Sequence, residues 1–156
     1  MKLFFKQRIF SWFDSYDIYD ELGNTVFVVK GEPSFGHKLP IYSAGGEYLG
    51  MVRERVFTFL PKFELYIKDS RAGTLQKEFT FFKPVFSLDY NGWKVEGDVF
   101  GWDYSVTSGG CEIMSVSKQL FRLSDSYVLD IRESSDALIC LMIVLAIDAQ
   151  KCSANN

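Results

Sequence analysis

The chain has 156 residues, is 47% hydrophobic and 17% aromatic, and carries a net charge of −3 with both signs mixed along its length. This length suits one ordinary domain, and the apolar share is enough to build a large core. The charge balance argues against a general nucleic-acid binder, which usually shows a basic stripe, and against a polybasic segment for anionic lipid. No nucleic-acid partner is therefore expected.

Cysteine usage and the N-terminal residues indicate a reducing compartment. Cys111, Cys140 and Cys152 form no C-x-x-C pair, so neither a zinc site nor a redox motif is expected. An odd number of widely spaced thiols is typical of a chain without disulfides. Lys6 and Arg8 interrupt the N-terminal apolar residues before a signal peptide could form. The expected localisation is cytoplasmic.

Short segments rich in aromatic and β-branched residues, separated by turn signals, fill the chain as far as its last strand candidate. The clearest turn is Asn91-Gly92, because Asn-Gly between apolar runs is the strongest short hairpin signal. So many closely spaced strands predict a sandwich or a barrel. In chain order, the predicted strands are residues 3–12, 16–19, 25–30, 39–42, 48–55, 63–68, 74–81, 87–90, 93–97, 104–107, 112–120 and 127–133.

The most apolar segment follows the last strand, at residues 137–147. Its eleven residues have no polar face on a helical wheel, and the run is too short to cross a bilayer, which takes about 20 residues. A strand is the rival interpretation, but the run is long for a strand and lacks alternation. A core helix at about residues 135–149, capped by Ser134, Ser135 or Asp136, is favoured. Its core residues would be Leu138, Leu141, Met142, Val144 and Leu145.

An internal repeat indicates how the strands are arranged. Residues 42–57 align without a gap over residues 106–121, so that Gly45-Gly46 matches Gly109-Gly110 and Val52 matches Val116. The β part therefore consists of two related halves of about 65 residues. Two such halves and a final apolar helix predict a mainly β, closed antiparallel barrel of about 12 strands around a central helix. We expect one domain at residues 1–149 and a loose tail at residues 150–156.

The order of these segments resembles the LURP-one-related family, and especially its small bacterial YxjI-like members. That family is part of the tubby-like superfamily, together with the phospholipid scramblases. The resemblance implies a tubby-like barrel around a hydrophobic C-terminal helix and no shared catalytic residues. It spans residues 1–149, and the segments that carry it are LFFKQRIFSWFDSYDIYDELGNTVFVVKGE, IYSAGGEYLGMVRERVFTFLPKFELYI, GWKVEGDVFGWDYSV and SSDALICLMIVLAIDA.

No motif specifies a reaction, so no enzymatic activity, cofactor or metal site is expected. His37 is the only histidine, and it is interpreted as a solvated loop residue. G-x-S-x-G, G-x-G-x-x-G and Walker motifs do not occur. The acidic residues between Asp14 and Glu21 lack the calcium-loop pattern and are interpreted as solvated strand and turn positions. An enzyme with an unrecognised site is the least favoured alternative.

Two surface features could bind a partner. Arg53 and Arg55 alternate on one predicted strand and so face the same way, and with Lys62 they could form a small cationic patch for a phosphate or headgroup. Glu54 and Glu64 oppose such a patch. Aromatic side chains near strand ends could form an exposed site, although such residues more often belong to the core; these are Trp12, Phe13, Trp93, Phe100 and Trp102.

These patterns favour a non-enzymatic binding or scaffold protein that acts through its outer surface. A lumen filled by a helix leaves little space for a ligand, so the outside of the barrel is where function is expected. The partner would be a protein or, as the alternative, a phospholipid or phosphoinositide headgroup, as the superfamily resemblance implies. The chain is expected to be a monomer that does not span the membrane.

Overall fold

A computed structural model describes residues 1–6, 15–119 and 126–154, and it has a mainly β architecture with one C-terminal helix. A short 3-10 turn, Ser134–Asp136, leads into the helix α1, Ala137–Ala154. The strands are β1 (Lys2–Lys6), β2 (Ser15–Tyr19), β3 (Thr25–Lys30), β4 (Lys38–Ser43), β5 (Tyr48–Arg55), β6 (Lys62–Ile67), β7 (Ser70–Lys77), β8 (Phe86–Asp89), β9 (Lys94–Asp98), β10 (Asp103–Ser108), β11 (Cys111–Gln119) and β12 (Ser126–Ile131).

The 12 strands form one antiparallel sheet that curls into a nearly closed barrel. Its order is β8-β7-β6-β5-β4-β3-β2-β1-β12-β11-β10-β9, so β1 pairs with β12 and the two edges are β8 and β9. A tight turn at Asn91-Gly92, with both residues at positive φ, joins these edges. The rings of Phe86 and Phe100 meet across this β8–β9 seam, with centroids 6.2 Å apart. The predicted barrel is therefore confirmed, with a seam where full closure was expected.

Because successive strands run in opposite directions, the connections alternate between two ends of the barrel. The turn end has tight hairpins, such as those at Gly45-Gly46 and Gly109-Gly110. The loop end has the longer connections 31–37, 56–61 and 78–85, and also the four-residue connection 99–102. β12 runs toward the turn end, so α1 enters the lumen there and finishes at the loop end.

The helix fills the lumen. Leu141, Met142 and Val144 are fully buried, Leu145 is 1% exposed, and Leu138 is partly buried at the first turn. Alternating strand residues such as Phe63 and Leu65 of β6 are buried in the same core cluster. This arrangement follows from the sequence, since a helix without a polar face must be enclosed on all sides.

The helix ends later than the sequence predicts. The α-helix continues to Ala154, five residues beyond the expected end at residue 149, and residues 150–154 are helical rather than loose. Ala, Gln and Lys are good helix formers, and Lys151 in the last turn suits the negative end of the helix dipole. At the other end, the predicted cap is replaced by the 3-10 turn, where the amide of Asp136 donates to the carbonyl of Glu133.

Close contact between helix and sheet requires a glycine on β5. A Cβ added to Gly50 would lie 2.1 Å from the carbonyl oxygen of Tyr66 and 2.7 Å from Cε of Met142. No side chain fits at such distances, so Gly50 lets α1 approach the wall.

One predicted strand is displaced. β7 spans Ser70–Lys77, whereas the sequence predicts a strand at residues 74–81. The strand begins earlier because Lys68 adopts a φ of 52° and reverses the chain directly after β6. Gly73 lies within the strand, where an added Cβ would lie 2.5 Å from the carbonyl oxygen of Asp89. Phe79 and Phe81 consequently lie beyond the strand, in a loop.

The repeat has a structural counterpart. The hairpin β4–β5 and the hairpin β10–β11 each have a Gly-Gly turn and a register shift, at Ile41/Tyr42 and at Val106/Thr107. Val52 and Val116 point into the core of the two hairpins. The hairpins lie half a circuit apart in the strand order, so the barrel has an approximate twofold arrangement.

The segment Ser134–Ala154 is long and apolar enough to cross a membrane by length and composition, but 72% of its apolar window is buried inside the barrel. A core helix meets the same criterion. Its burial is what the sequence predicted for the apolar run.

Replacing Leu141 by Asp is expected to prevent folding. The side chain is fully buried, and an unpaired charge in an apolar core costs several kcal/mol. That cost is comparable to the free energy of unfolding of a whole domain, about 5–15 kcal/mol. Far-UV circular dichroism and urea titration measure the loss. Ser153→Asp, on the exposed last turn of the same helix, is the matched control and should retain the native transition. A Leu141→Asp protein with a native transition would contradict the burial of α1.

Candidate functional site

Two titratable side chains inside the barrel, Cys140 and Tyr104, are held toward their neutral forms. Burial raises the pKa of the Cys140 thiol to about 12, and therefore this group stays protonated and is a poor nucleophile. Burial, with the nearby Asp148 as a second cause, raises the pKa of Tyr104 well above its usual range. In the described ranges, no three His, Cys, Asp or Glu side chains lie close enough to hold a metal ion. The candidate sites are on the outer surface.

A shallow depression of about 400 Å³ beside β1 and β2 is shaped by a turn rather than by a binding site. The carboxylate of Asp20 accepts hydrogen bonds from the amides of Leu22, at 2.9 Å, and Asn24, at 2.8 Å. The bond from Asn24 is the main cause that lowers the pKa of Asp20. A carboxylate occupied in this way stabilises the turn and is not poised as an acid or a base.

The prediction for His37 is wrong, because the side chain is not solvated. Its Nδ1 lies 2.6 Å from Oε2 of Glu54, and both side chains are mostly buried at the loop end. The same carboxylate oxygen accepts a hydrogen bond from the His37 amide, at 2.9 Å, and the Glu54 amide donates to the His37 carbonyl, at 2.8 Å. Glu54 thus fastens the β3–β4 loop to β5.

The hydrogen bond from His37 is the main cause that lowers the pKa of Glu54. Gly36 completes the contact, because its φ of 81° turns the chain and an added Cβ would lie 2.8 Å from Cγ1 of Val56. The β3–β4 and β5–β6 loops are therefore packed against each other. This pair therefore joins the β3–β4 loop to β5 and is interpreted as a structural contact.

The structure brings the three predicted cationic residues together. Arg53 and Arg55 lie on the outer face of β5, opposite Glu64 and Lys62 of β6 respectively. Nε of Arg55 lies 2.9 Å from Oε1 of Glu64, and the Tyr66 hydroxyl donates to the other carboxylate oxygen. Glu64 is only 5% exposed. An acidic side chain therefore occupies the centre of the predicted patch and neutralises part of it.

The hydrogen bond to Glu64 is also the main cause that raises the pKa of Tyr66, while Arg53 and Arg71 act in the opposite direction. These side chains form one charge network across β5, β6 and β7. Since its central acid is already paired, the network holds an added anion less well than three free cations would.

The largest unexplained surface feature is a set of exposed apolar side chains at the loop end, which we call the aromatic rim. Its members lie on the β3–β4, β5–β6 and β7–β8 connections, which are neighbours on the barrel. Most of them are at least 85% exposed. The aromatic rim consists of Phe35, Val56, Phe57, Phe59, Phe79, Phe81, Phe82 and Val85.

Local sequence explains why these side chains stay outside. Phe-Thr-Phe occurs at residues 57–59 and again at residues 79–81, and Pro61 and Pro84 follow. Each threonine hydroxyl bonds to a loop carbonyl, Thr58 to Arg55 at 3.2 Å and Thr80 to Lys83 at 2.6 Å. These bonds and the prolines hold the segments in loops instead of strands. The repeated Phe-Thr-Phe before a proline is the signal that could have revealed the rim.

The aromatic residues that the sequence singled out lie elsewhere. Trp93 and Trp102 are buried at 6% and 2% exposure, and Phe100 is half-buried at the β8–β9 seam. Trp12 and Phe13 lie outside the described residues. The interpretation that such residues more often belong to the core is therefore confirmed for Trp93 and Trp102.

Glu54→Gln is expected to lower stability at neutral pH by about 1.5–3 kcal/mol, the range for a hydrogen bond to a charged group. The folded-state pKa of Glu54 is lowered, so its contribution is present above the unfolded value and is lost as the pH falls through the folded value. The difference between wild type and variant should therefore shrink below about pH 4 in urea titrations. Glu112→Gln, at an exposed hairpin, is the control. A pH-independent difference would contradict the role of the charged carboxylate.

Known proteins show the same sequence pattern and fold. The family model described as LURP-one-related matches residues 1–148. The uncharacterized protein YxjI of Bacillus subtilis (strain 168) is 33% identical over 149 residues, covering 95% of this chain and 92% of that protein. An X-ray structure of a protein from Arabidopsis thaliana superposes with a TM-score of 0.60 at 17% identity, over 96% of this chain and 91% of that one. The chain belongs to the LURP-one-related family.

Proposed function

We propose that this protein is a non-enzymatic binding protein whose contact surface is the aromatic rim. The observation that carries the proposal is the exposure of large apolar side chains on three neighbouring loops at one end of the barrel. Monomeric proteins rarely expose contiguous apolar patches without a binding role. Among the described residues, the exposed large apolar side chains outside the rim are Met1, Leu22 and Ile67, which lie on three separate segments, and the lumen is occupied by α1.

The loops that carry the rim are built to hold it in place. Glu54 fastens the first loop to β5, and Gly36 packs that loop against Val56 of the second. In the third loop, the rings of Phe79 and Phe81 meet edge to face at 5.3 Å. A surface that costs solubility yet is held in a defined shape is typical of a binding site.

A second candidate is a headgroup site on the side of the barrel. The observation in its favour is the convergence of Arg53, Arg55 and Lys62 on one face. The ion pair between Arg55 and Glu64 weakens it, because the anion would compete with a buried carboxylate. We rank it below the aromatic rim for that reason.

Photo-crosslinking in cells tests the proposal. A benzophenone side chain placed at Phe57 or at Phe81 is expected to give adducts with a protein or a lipid, whereas the same group at Leu22 is expected to give none. Leu22 is the matched control, since it is 86% exposed but lies at the turn end. Adducts at Phe57 should disappear when Phe81 is replaced by Ser. Equal yields at Leu22 and Phe57, or no adduct at either rim position, would contradict the proposal.

A further inference from the structure

We propose that the partner of the aromatic rim is a bilayer surface that contains anionic lipid, into which the rim inserts with the loop end facing the membrane. This inference rests on the proposed function and names its partner. Three features of the described residues carry it: the shape of the rim, the distribution of charge around it, and the position of α1.

The rim projects instead of forming a groove. Phe57 is 99% exposed, Phe82 97% and Phe59 94%, so these rings touch almost nothing of their own protein. A peptide or helix that docks on a protein needs a concave apolar groove to bury its anchors. Rings that project separately from loop tips can each be surrounded by lipid, because the apolar part of a bilayer is fluid. Aromatic side chains at the depth of the lipid headgroups are a common anchor of this kind.

Basic side chains surround the rim. The strand ends and loops that border it carry more Lys and Arg than Asp and Glu. The acidic side chains there are engaged, since Glu32 pairs with Lys38 at 2.7 Å, Glu54 holds His37, and Glu78 accepts a hydrogen bond from Ser87. Asp98 and Asp103 lie across the β8–β9 seam. The bordering cations are Lys30, Lys38, Arg55, Lys62, Lys77 and Lys83. Lys38 is paired with Glu32 and Arg55 with Glu64, so the positive charge that attracts lipid comes mainly from the four other lysines.

The turn end has the opposite charge. Acidic residues outnumber basic ones in its hairpins and in the segment before α1; they are Asp20, Glu21, Glu47, Asp69, Asp89, Glu112, Asp130, Glu133 and Asp136. The chain as a whole is acidic, with a net charge of −3, so an anionic surface attracts it only in one orientation. That orientation presents the aromatic rim and its Lys and Arg border to the lipid.

The position of α1 distinguishes docking from insertion of the helix. The apolar window of the helix is 72% buried, and its removal from the barrel would expose the whole core. Rim insertion needs no such change, because the rings are already outside. The barrel therefore stays folded on the surface of the membrane.

Vesicle co-sedimentation tests the inference with equimolar phosphatidylcholine and phosphatidylglycerol, and with phosphatidylcholine alone. The wild type is expected to bind the anionic vesicles, and less so at high salt. The affinity of the double variant Phe57→Ser/Phe81→Ser should be lower by a factor of about ten or more, because the apolar area of two rings is lost. Leu22→Ser, at the turn end, should bind like the wild type. Circular dichroism of each variant confirms that the barrel is folded.

A second measurement uses Phe57→Trp and Leu22→Trp with lipids brominated on their acyl chains. Quenching of the added emission is expected at position 57 and not at position 22. Absence of wild-type binding, equal binding of the rim variant and Leu22→Ser, or equal quenching would overturn the inference. An equal loss in Arg53→Gln, a residue on the side of the barrel that is not among the bordering cations, would instead assign the contact to that side. Protein adducts at the rim without vesicle binding would overturn the lipid partner alone, whereas no adducts of any kind would overturn the proposed function as well.

Discussion

The enclosure of one apolar helix by the sheet is the interaction on which the rest of the structure depends. Burial of each large aliphatic side chain contributes about 1.5–3 kcal/mol, so the fully buried residues of α1 together exceed the net stability of a domain. Neither part is stable without the other: the helix has no polar face, and the wall would line an empty cavity. Gly50 in β5 shows how closely the helix and the wall pack, since only a residue without a side chain lets Met142 approach.

The helix fills the lumen of the barrel, and the exterior of the barrel is not uniform. The turn end consists of short hairpins and acidic side chains, whereas the loop end carries the aromatic rim with basic residues around it. The cationic patch on the side of the barrel is balanced by Glu64, whose carboxylate is already held by Arg55 and Tyr66. The two ends thus differ in charge and in exposed apolar side chains more clearly than the cationic patch differs from the rest of the wall.

The fold was predictable because its determinants are local and periodic. The apolar run at residues 137–147 predicted a core helix, and the Gly-Gly repeat predicted two matching halves; both are present. The rim was not predictable from the same signals. Phe79 and Phe81 extend an aromatic alternation that is typical of a strand, whereas β7 begins directly after the chain reversal at Lys68 and ends at Lys77. The partnership of His37 with Glu54 joins residues 17 positions apart and has no local signature.

Native-state hydrogen exchange of α1 tests the central claim most directly. If the helix is enclosed by the barrel, amides from Leu141 to Ile147 can exchange only when the whole domain unfolds. Their opening free energy should equal the unfolding free energy measured with denaturant, and it should match that of the paired strands β5 and β12, which contact the helix. Exchange of the helix amides at a much lower free energy, with the strands still protected, would show that α1 leaves the barrel independently and would contradict the claim.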